Sequence, residues 1–147
     1  MSRRIEDLDK RMIPKAKNFI EGLKNANIPF VVTSTLRTMA EQEALYAQGR
    51  VPLEKVNELR KKAKLYLLSE RENSYTVTNC DGVKVKSNHQ GGLAMDVVPM
   101  DERGNPIWPD KLDPQWRRIA EVGEGVGLIW GGRWEKFPDL PHWELHV

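Results

Sequence analysis

Cysteine is nearly absent from this chain. Cys80 stands alone among 147 residues, so no internal disulfide can form and a cysteine-rich zinc site is excluded. No apolar run approaches the roughly 18 residues of a membrane span, so no stable membrane association is expected. A strong charge of either sign is also missing: 23 basic residues face 21 acidic ones, a net charge of +2. So small an excess argues against a dedicated nucleic-acid binder, while it suits loose attraction to an anionic polymer. There is no internal repeat and no low-complexity linker. The opening residues MSRRIEDLDKR lack the apolar core of a signal peptide, which predicts a cytoplasmic chain. What is present, 39% apolar and 30% charged residues, suffices for one domain with a real core.

Leu8, Met12, Ala16, Phe19 and Leu23 recur at spacings of three or four, which predicts an amphipathic helix over about 4–26. PFVVTST, from Pro29, reads as a buried strand. Thr38 and Glu41 form a capping box for a helix that runs to Gln48, with Gly49 as its stop. Residues 53–71 carry a second helical pattern. YTVTN and VKVK flank Asp81-Gly82, which predicts a hairpin. LAMDVVP reads as a strand, Asp113-Pro114 as a helix start, and HWELHV as a last strand. The predicted fold class is α+β, a small antiparallel or mixed sheet covered by helices.

The segment SNHQGGLAMD, 87–96, is the most informative stretch. It places His89 and Asp96 seven residues apart around the glycine pair 91–92. DLPH, near the C-terminus, adds Asp139 and His142. Two imidazoles and one carboxylate are the usual ligands of a catalytic zinc, which leaves a fourth position open. A spare carboxylate beside such a site is what activation of water requires. The chain therefore reads as a zinc hydrolase. His146 competes with His142, because both share a strand face with Glu144, and Glu144 reads either as an acceptor that orients a ligand or as an ordinary strand-face carboxylate. Trp130, Trp134 and Trp143 surround the motif; the reading assigns at least one to the core and leaves another for a groove.

Ser87, His89, Gly92, Ala94 and Asp96 match the Ser-x-His-x-x-Gly-x-Ala-x-Asp signature, and the chain resembles the VanY-like and D-alanyl-D-alanine peptidases of peptidoglycan. IWGGRWEKFPDLPHWEL and TSTLRTMAEQEALYAQGR are similar to the phage and bacterial L-alanyl-D-glutamate endopeptidases of that family. The resemblance runs from about Val31 to the C-terminus. It implies a single hedgehog/D-Ala-D-Ala peptidase-like domain over 1–147, and beside it 147 residues are expected to leave no room for a separate wall-binding domain. It implies zinc held by His89, Asp96 and His142, Asp139 as general base, Arg37 as a catalytic and substrate-binding residue, and Ser87 as a substrate contact. Two departures stand out: Arg133 occupies a slot that is often acidic, and 51–74 reads as a helical insertion.

The expected function is zinc-dependent hydrolysis of a peptidoglycan stem-peptide bond by a monomer. A phage-type endolysin cutting between L-alanine and D-glutamate, released to the wall at lysis, is the leading form. A D-alanyl-D-alanine carboxypeptidase or dipeptidase is the second. A catalytically silent zinc-bound wall-binding module is the third, and the intact ligand and base set argues against it.

Overall fold

The computed structural model describes residues 1–147. Its elements follow the order α1 (Ile13–Asn25), β1 (Phe30–Ser34), α2 (Met39–Ala47), α3 (Leu53–Lys62), β2 (Ala94–Pro99), α4 (Pro114–Gly125), β3 (Ile129–Trp130) and β4 (His142–Glu144). Short 3₁₀ turns lie at Ile5–Asp7, Glu72–Ser74 and Gly131–Arg133. No helix is long and apolar enough to cross a membrane. The chain divides into two compact units, one formed by 2–36 and 91–147, the other by Met1 and 37–90.

The first unit holds the sheet, four strands in the order β1-β2-β4-β3. Every pairing is antiparallel. The α+β expectation holds, in its antiparallel form. Alternation along the strands separates two faces. Met95 and Val97 of β2 and Trp143 of β4 are fully buried in one cluster with Phe19 and Leu23 of α1 and with Trp116, Ile119 and Ala120 of α4. Trp143 stacks on Trp130 at 6.0 Å between centroids and meets Phe19 at 4.8 Å. Burying an aromatic side chain of that size removes about 150–250 Å² from water, about 4–6 kcal/mol of favourable transfer. Gly22 of α1 sits against Val122 of α4, and a Cβ there would stand 2.7 Å from the Val122 Cγ1.

All five residues of the predicted first helical stripe are buried. The helix itself begins only at Ile13, with Pro14, which has no N–H to give, in its first turn, and a single turn closed on the Asp9 carbonyl leads into it. Residues 5–7 form a 3₁₀ turn instead. Asp113 caps α4 by accepting from the Gln115 N–H, as its position before Pro114 predicts. HWELHV is a strand only over its first three residues.

The second unit is built from α2, α3 and long loops. The capping box of α2 is complete: Thr38 accepts from the Glu41 N–H, and Glu41 accepts from the Thr38 N–H. Gly49 follows with φ +79°, the left-handed stop predicted for it. Ala47, Val56 and Leu68 form a small core of their own. The predicted helix 53–71 ends at Lys62, and Lys64 takes a left-handed φ of 59°. Side-chain amides fix the return path, Asn57 both donating to the Leu68 carbonyl and accepting from its N–H.

The hairpin expected around Asp81-Gly82 does not form. One oxygen of Asp81 accepts from the N–H groups of Val83, Lys84 and Val85. Those donors are thereby withdrawn from any ladder, the usual competition between a local carboxylate and secondary structure. Val77, Val83 and Val85 are exposed, so no core rewards the strand alternative.

Candidate metal centre

Asp96 lies in β2, an interior strand of the sheet. Its cross-strand partners are Ser34 on β1 and His142 on β4. Residues directly opposite share a face, so Asp96 and His142 project together. A register irregularity between Val32 and Ser34 bends β1 beside them.

His89 is carried by a tight turn. The Gln90 N–H donates to the Ser87 carbonyl at 3.0 Å, and the His89 N–H donates to the Ser87 hydroxyl at 3.2 Å. Gln90 also accepts from the Ser87 N–H at 2.9 Å. The His89 carbonyl accepts from the Arg37 N–H at 3.0 Å. Gly92 then turns the chain into β2 with φ +72°, and its carbonyl accepts from the Asp9 N–H. A Cβ at Gly92 would lie 2.6 Å from that nitrogen, so the position demands glycine on both counts.

The result is a cluster. The ligand atoms of His89, Asp96 and His142 all lie within 4.8 Å of one another. Both histidines are buried. Ligand bonds of about 2.1 Å put tetrahedral neighbours about 3.4 Å apart. Modest closure of the three side chains therefore suits a small divalent cation, and the His₂Asp donor set is chemically apt for one.

His142 is the most constrained of the three. Its Nε2 is 2.6 Å from Glu144 Oε1, and its Nδ1 is 3.7 Å from Asp96 Oδ1 and 3.9 Å from Asp139 Oδ2. Burial pushes its pKa down, but the bond to Glu144 and the charges of Asp96 and Asp139 outweigh burial and raise it above the usual imidazole range. His146 is not part of the cluster. It is exposed, and its Nε2 lies 2.5 Å from the second oxygen of Glu144.

Asp139 sits on the loop entering β4 with its side chain half exposed. Its N–H donates to the Gly131 carbonyl at 2.9 Å, and its carbonyl accepts from the His142 N–H. Gly131 is packed against this loop: a Cβ there would stand 2.6 Å from the Asp139 carbonyl oxygen and 3.0 Å from the His142 Cβ. Trp134 is part-exposed with its ring 5.0 Å from that of His142, whereas Trp130 and Trp143 belong to the core. Arg133, the departure from the family pattern, is tied through both guanidinium branches to Glu124 of α4.

Arg37 follows β1 and precedes the cap of α2. Its Nη1 donates to Gln42 Oε1 at 2.9 Å. Gln42 is fully buried and also donates to the Cys80 carbonyl at 2.7 Å. Ser87 shapes the His89 turn through its hydroxyl. Gln42 escaped the sequence reading, and Gly131 entered it only as part of the IWGGRW segment, without a role. A glutamine on a short helix and a glycine in a pair carry no mark that separates such roles from ordinary ones.

The D-alanyl-D-alanine carboxypeptidase family matches at residues 81–145. The peptidoglycan L-alanyl-D-glutamate endopeptidase CwlK of Bacillus subtilis (strain 168) is 29% identical over 142 residues, covering 90% of this chain and 72% of its own. Among solved structures, the L-Ala D-Glu endopeptidase ChiX of Serratia marcescens superposes with a TM-score of 0.57 at 22% identity, covering 97% of this chain and 83% of that one. An alanine variant of the vancomycin-resistance D,D-pentapeptidase VanY, solved in complex with Zn(II), superposes with a TM-score of 0.58 at 19% identity, over 93% of this chain and 71% of that one. The predicted resemblance therefore holds, and it is carried by residues 81–145, which include His89, Asp96, Asp139 and His142 and are similar to the D-alanyl-D-alanine carboxypeptidase family of peptidases.

Proposed function

We propose that this protein is a zinc-dependent peptidase that hydrolyses a stem-peptide bond of peptidoglycan, the bond between L-alanine and D-glutamate. The convergence of His89, Asp96 and His142 carries the reading. The similarity to CwlK, an L-alanyl-D-glutamate endopeptidase, supports the choice of bond. His89, Asp96 and His142 hold the ion. Zinc in such a site supplies Lewis-acid polarisation of the scissile carbonyl and makes a water more acidic.

The residues of the chain do the rest. Asp139 is half exposed beside His142, so its carboxylate reaches solvent and substrate together. Its Oδ2 takes a proton from the attacking water and returns it to the leaving amine, the ordinary contribution of a positioned carboxylate. The Arg37 guanidinium, oriented by Gln42, offers a planar fork to a stem-peptide carboxylate or to the developing oxyanion. Trp134 supplies an apolar wall next to the His142 ring. Action at the wall after release at lysis, the role of the phage-type branch, belongs to the same proposal.

Mass spectrometry of fragments released from purified peptidoglycan by the zinc-loaded protein tests it. New α-amino groups on D-glutamate are expected. Free D-alanine would instead establish the carboxypeptidase reading, which the description of the matched family favours. Wall binding without any cleavage would leave the silent module.

A further inference from the structure

We propose that Glu144 is the positioning residue of this centre: its carboxylate takes the Nε2–H of His142 and thereby turns the Nδ1 lone pair toward His89 and Asp96. The inference rests on the metal-centre reading and adds a residue to it.

Glu144 is only 4% exposed, an unusual place for a carboxylate. Its two oxygens are divided between two imidazoles, Oε1 at 2.6 Å from His142 Nε2 and Oε2 at 2.5 Å from His146 Nε2. An ionised carboxylate only accepts hydrogen bonds, so the nitrogen of each ring that faces it carries a proton. In neutral His142 that leaves the lone pair on Nδ1, the nitrogen facing Asp96. This tautomer is the one a cation at the cluster requires. Rotating the ring by half a turn would put carbon where Nε2 stands, and the buried Glu144 oxygen would lose its 2.6 Å bond. Breaking a buried charge-assisted bond is costly, so the ring is held in one orientation.

The strand builds this arrangement. His142 and Glu144 are two apart on β4 and share a face. Ala94 stands opposite Glu144 in the ladder and is fully buried, and its single methyl leaves room for a carboxylate. His146 grips the second oxygen from the surface and limits rotation of the carboxylate.

The test measures zinc affinity by competition with a chromophoric chelator in the wild type, Glu144→Ala and Glu144→Gln. Nitrogen-15 NMR of the His142 ring and thermal melts accompany it. The wild type is expected to bind one zinc, with Nε2 protonated and Nδ1 coordinating. Glu144→Ala is expected to bind zinc more weakly, by about 10–100-fold, and to show mixed His142 tautomers without metal. Glu144→Gln keeps an acceptor oxygen opposite Nε2 and should recover most of the loss. A folded Glu144→Ala with wild-type affinity would overturn the inference, as would zinc coordination through Nε2. Should Glu144→Ala fail to fold, Glu144→Gln decides: His142 protonated on Nδ1 in that metal-free variant would overturn it. A wild type that takes up no zinc would overturn the reading of the centre itself, a separate and recognisable result.

Discussion

Replacing Asp139 with asparagine separates a base from a ligand. The side chain is half exposed, and its Oδ2 is 3.9 Å from the His142 Nδ1. Asparagine keeps the shape and leaves untouched the main-chain bonds that join residue 139 to Gly131 and His142. Surface changes of this kind stay within about 0.5 kcal/mol, so the melting temperature should hardly move. What is lost is proton transfer, worth about 10²–10⁴ in rate. At 1.36 kcal/mol per decade that is about 2.7–5.4 kcal/mol of barrier. The assay is the rate at which new amino termini appear in purified peptidoglycan, beside zinc stoichiometry and a thermal melt. Zinc should remain at one per chain while turnover falls at least a hundredfold. Turnover within about threefold of wild type would refute the assignment. Loss of zinc together with activity would make Asp139 a ligand.

Other consequences can be tested in parallel. His142→Ala should abolish tight zinc binding, whereas His146→Ala should retain it, because only His142 belongs to the three-residue cluster; reversed metal contents would exchange the two roles. Arg37→Lys should lower kcat/KM by about tenfold or more with melting temperature and zinc unchanged, since an ammonium cannot reproduce the planar fork held by Gln42; wild-type kinetics would remove Arg37 from the site. Gly131→Ala forces a methyl against the Asp139 carbonyl and should cost about 1–3 kcal/mol in denaturant melts and slow turnover, and a neutral result would show that the loop gives way freely. Burial pushes the Glu41 carboxyl up, but bonds to the Thr38 N–H and hydroxyl and the nearby Met1 amino group outweigh it and hold the pKa below the usual range. A depressed folded pKa means that the stabilisation is present above the unfolded value, about 4.3, and is lost as pH falls through the folded one. Glu41→Gln should therefore flatten the acid side of the stability–pH curve, and superimposable slopes would argue against the linkage.

Local chemistry explains which elements were legible. Thr38, Glu41 and Gly49 announce α2 because cap and stop are made by the residues themselves, within one turn of the chain. Asp113-Pro114 announces α4 for the same reason. The hairpin at Asp81-Gly82 misled because its turn signal was sound but nothing apolar covers Val83 and Val85, so Asp81 turned the backbone on itself instead. Strand β3 is two residues long, too short for any periodicity to show. The ligand candidates were visible as residue types, and their convergence was legible only through the family resemblance, because it depends on a strand pairing between segments some fifty residues apart along the chain.

That pairing has a physical guarantor on the opposite face of the sheet. β4 is only three residues long, His142, Trp143 and Glu144, and two of them are polar. Left to its own backbone bonds it would have little to choose between one register and the next. A slip of one residue would send Trp143 to the face of Asp96 and drive His142 and Glu144 into the core. Trp143 forbids it. Its ring lies between Phe19 and Trp130 and presses on Gly123, where a Cβ would collide with the six-membered ring. Its indole N–H is buried without a hydrogen-bond partner, at a cost of about 1–3 kcal/mol. Burial of the ring, about 4–6 kcal/mol, exceeds that cost. The same packing that satisfies the apolar side of β4 thus fixes His142 opposite Asp96, so the register of the candidate site is decided by a tryptophan whose ring lies on the opposite face of the sheet.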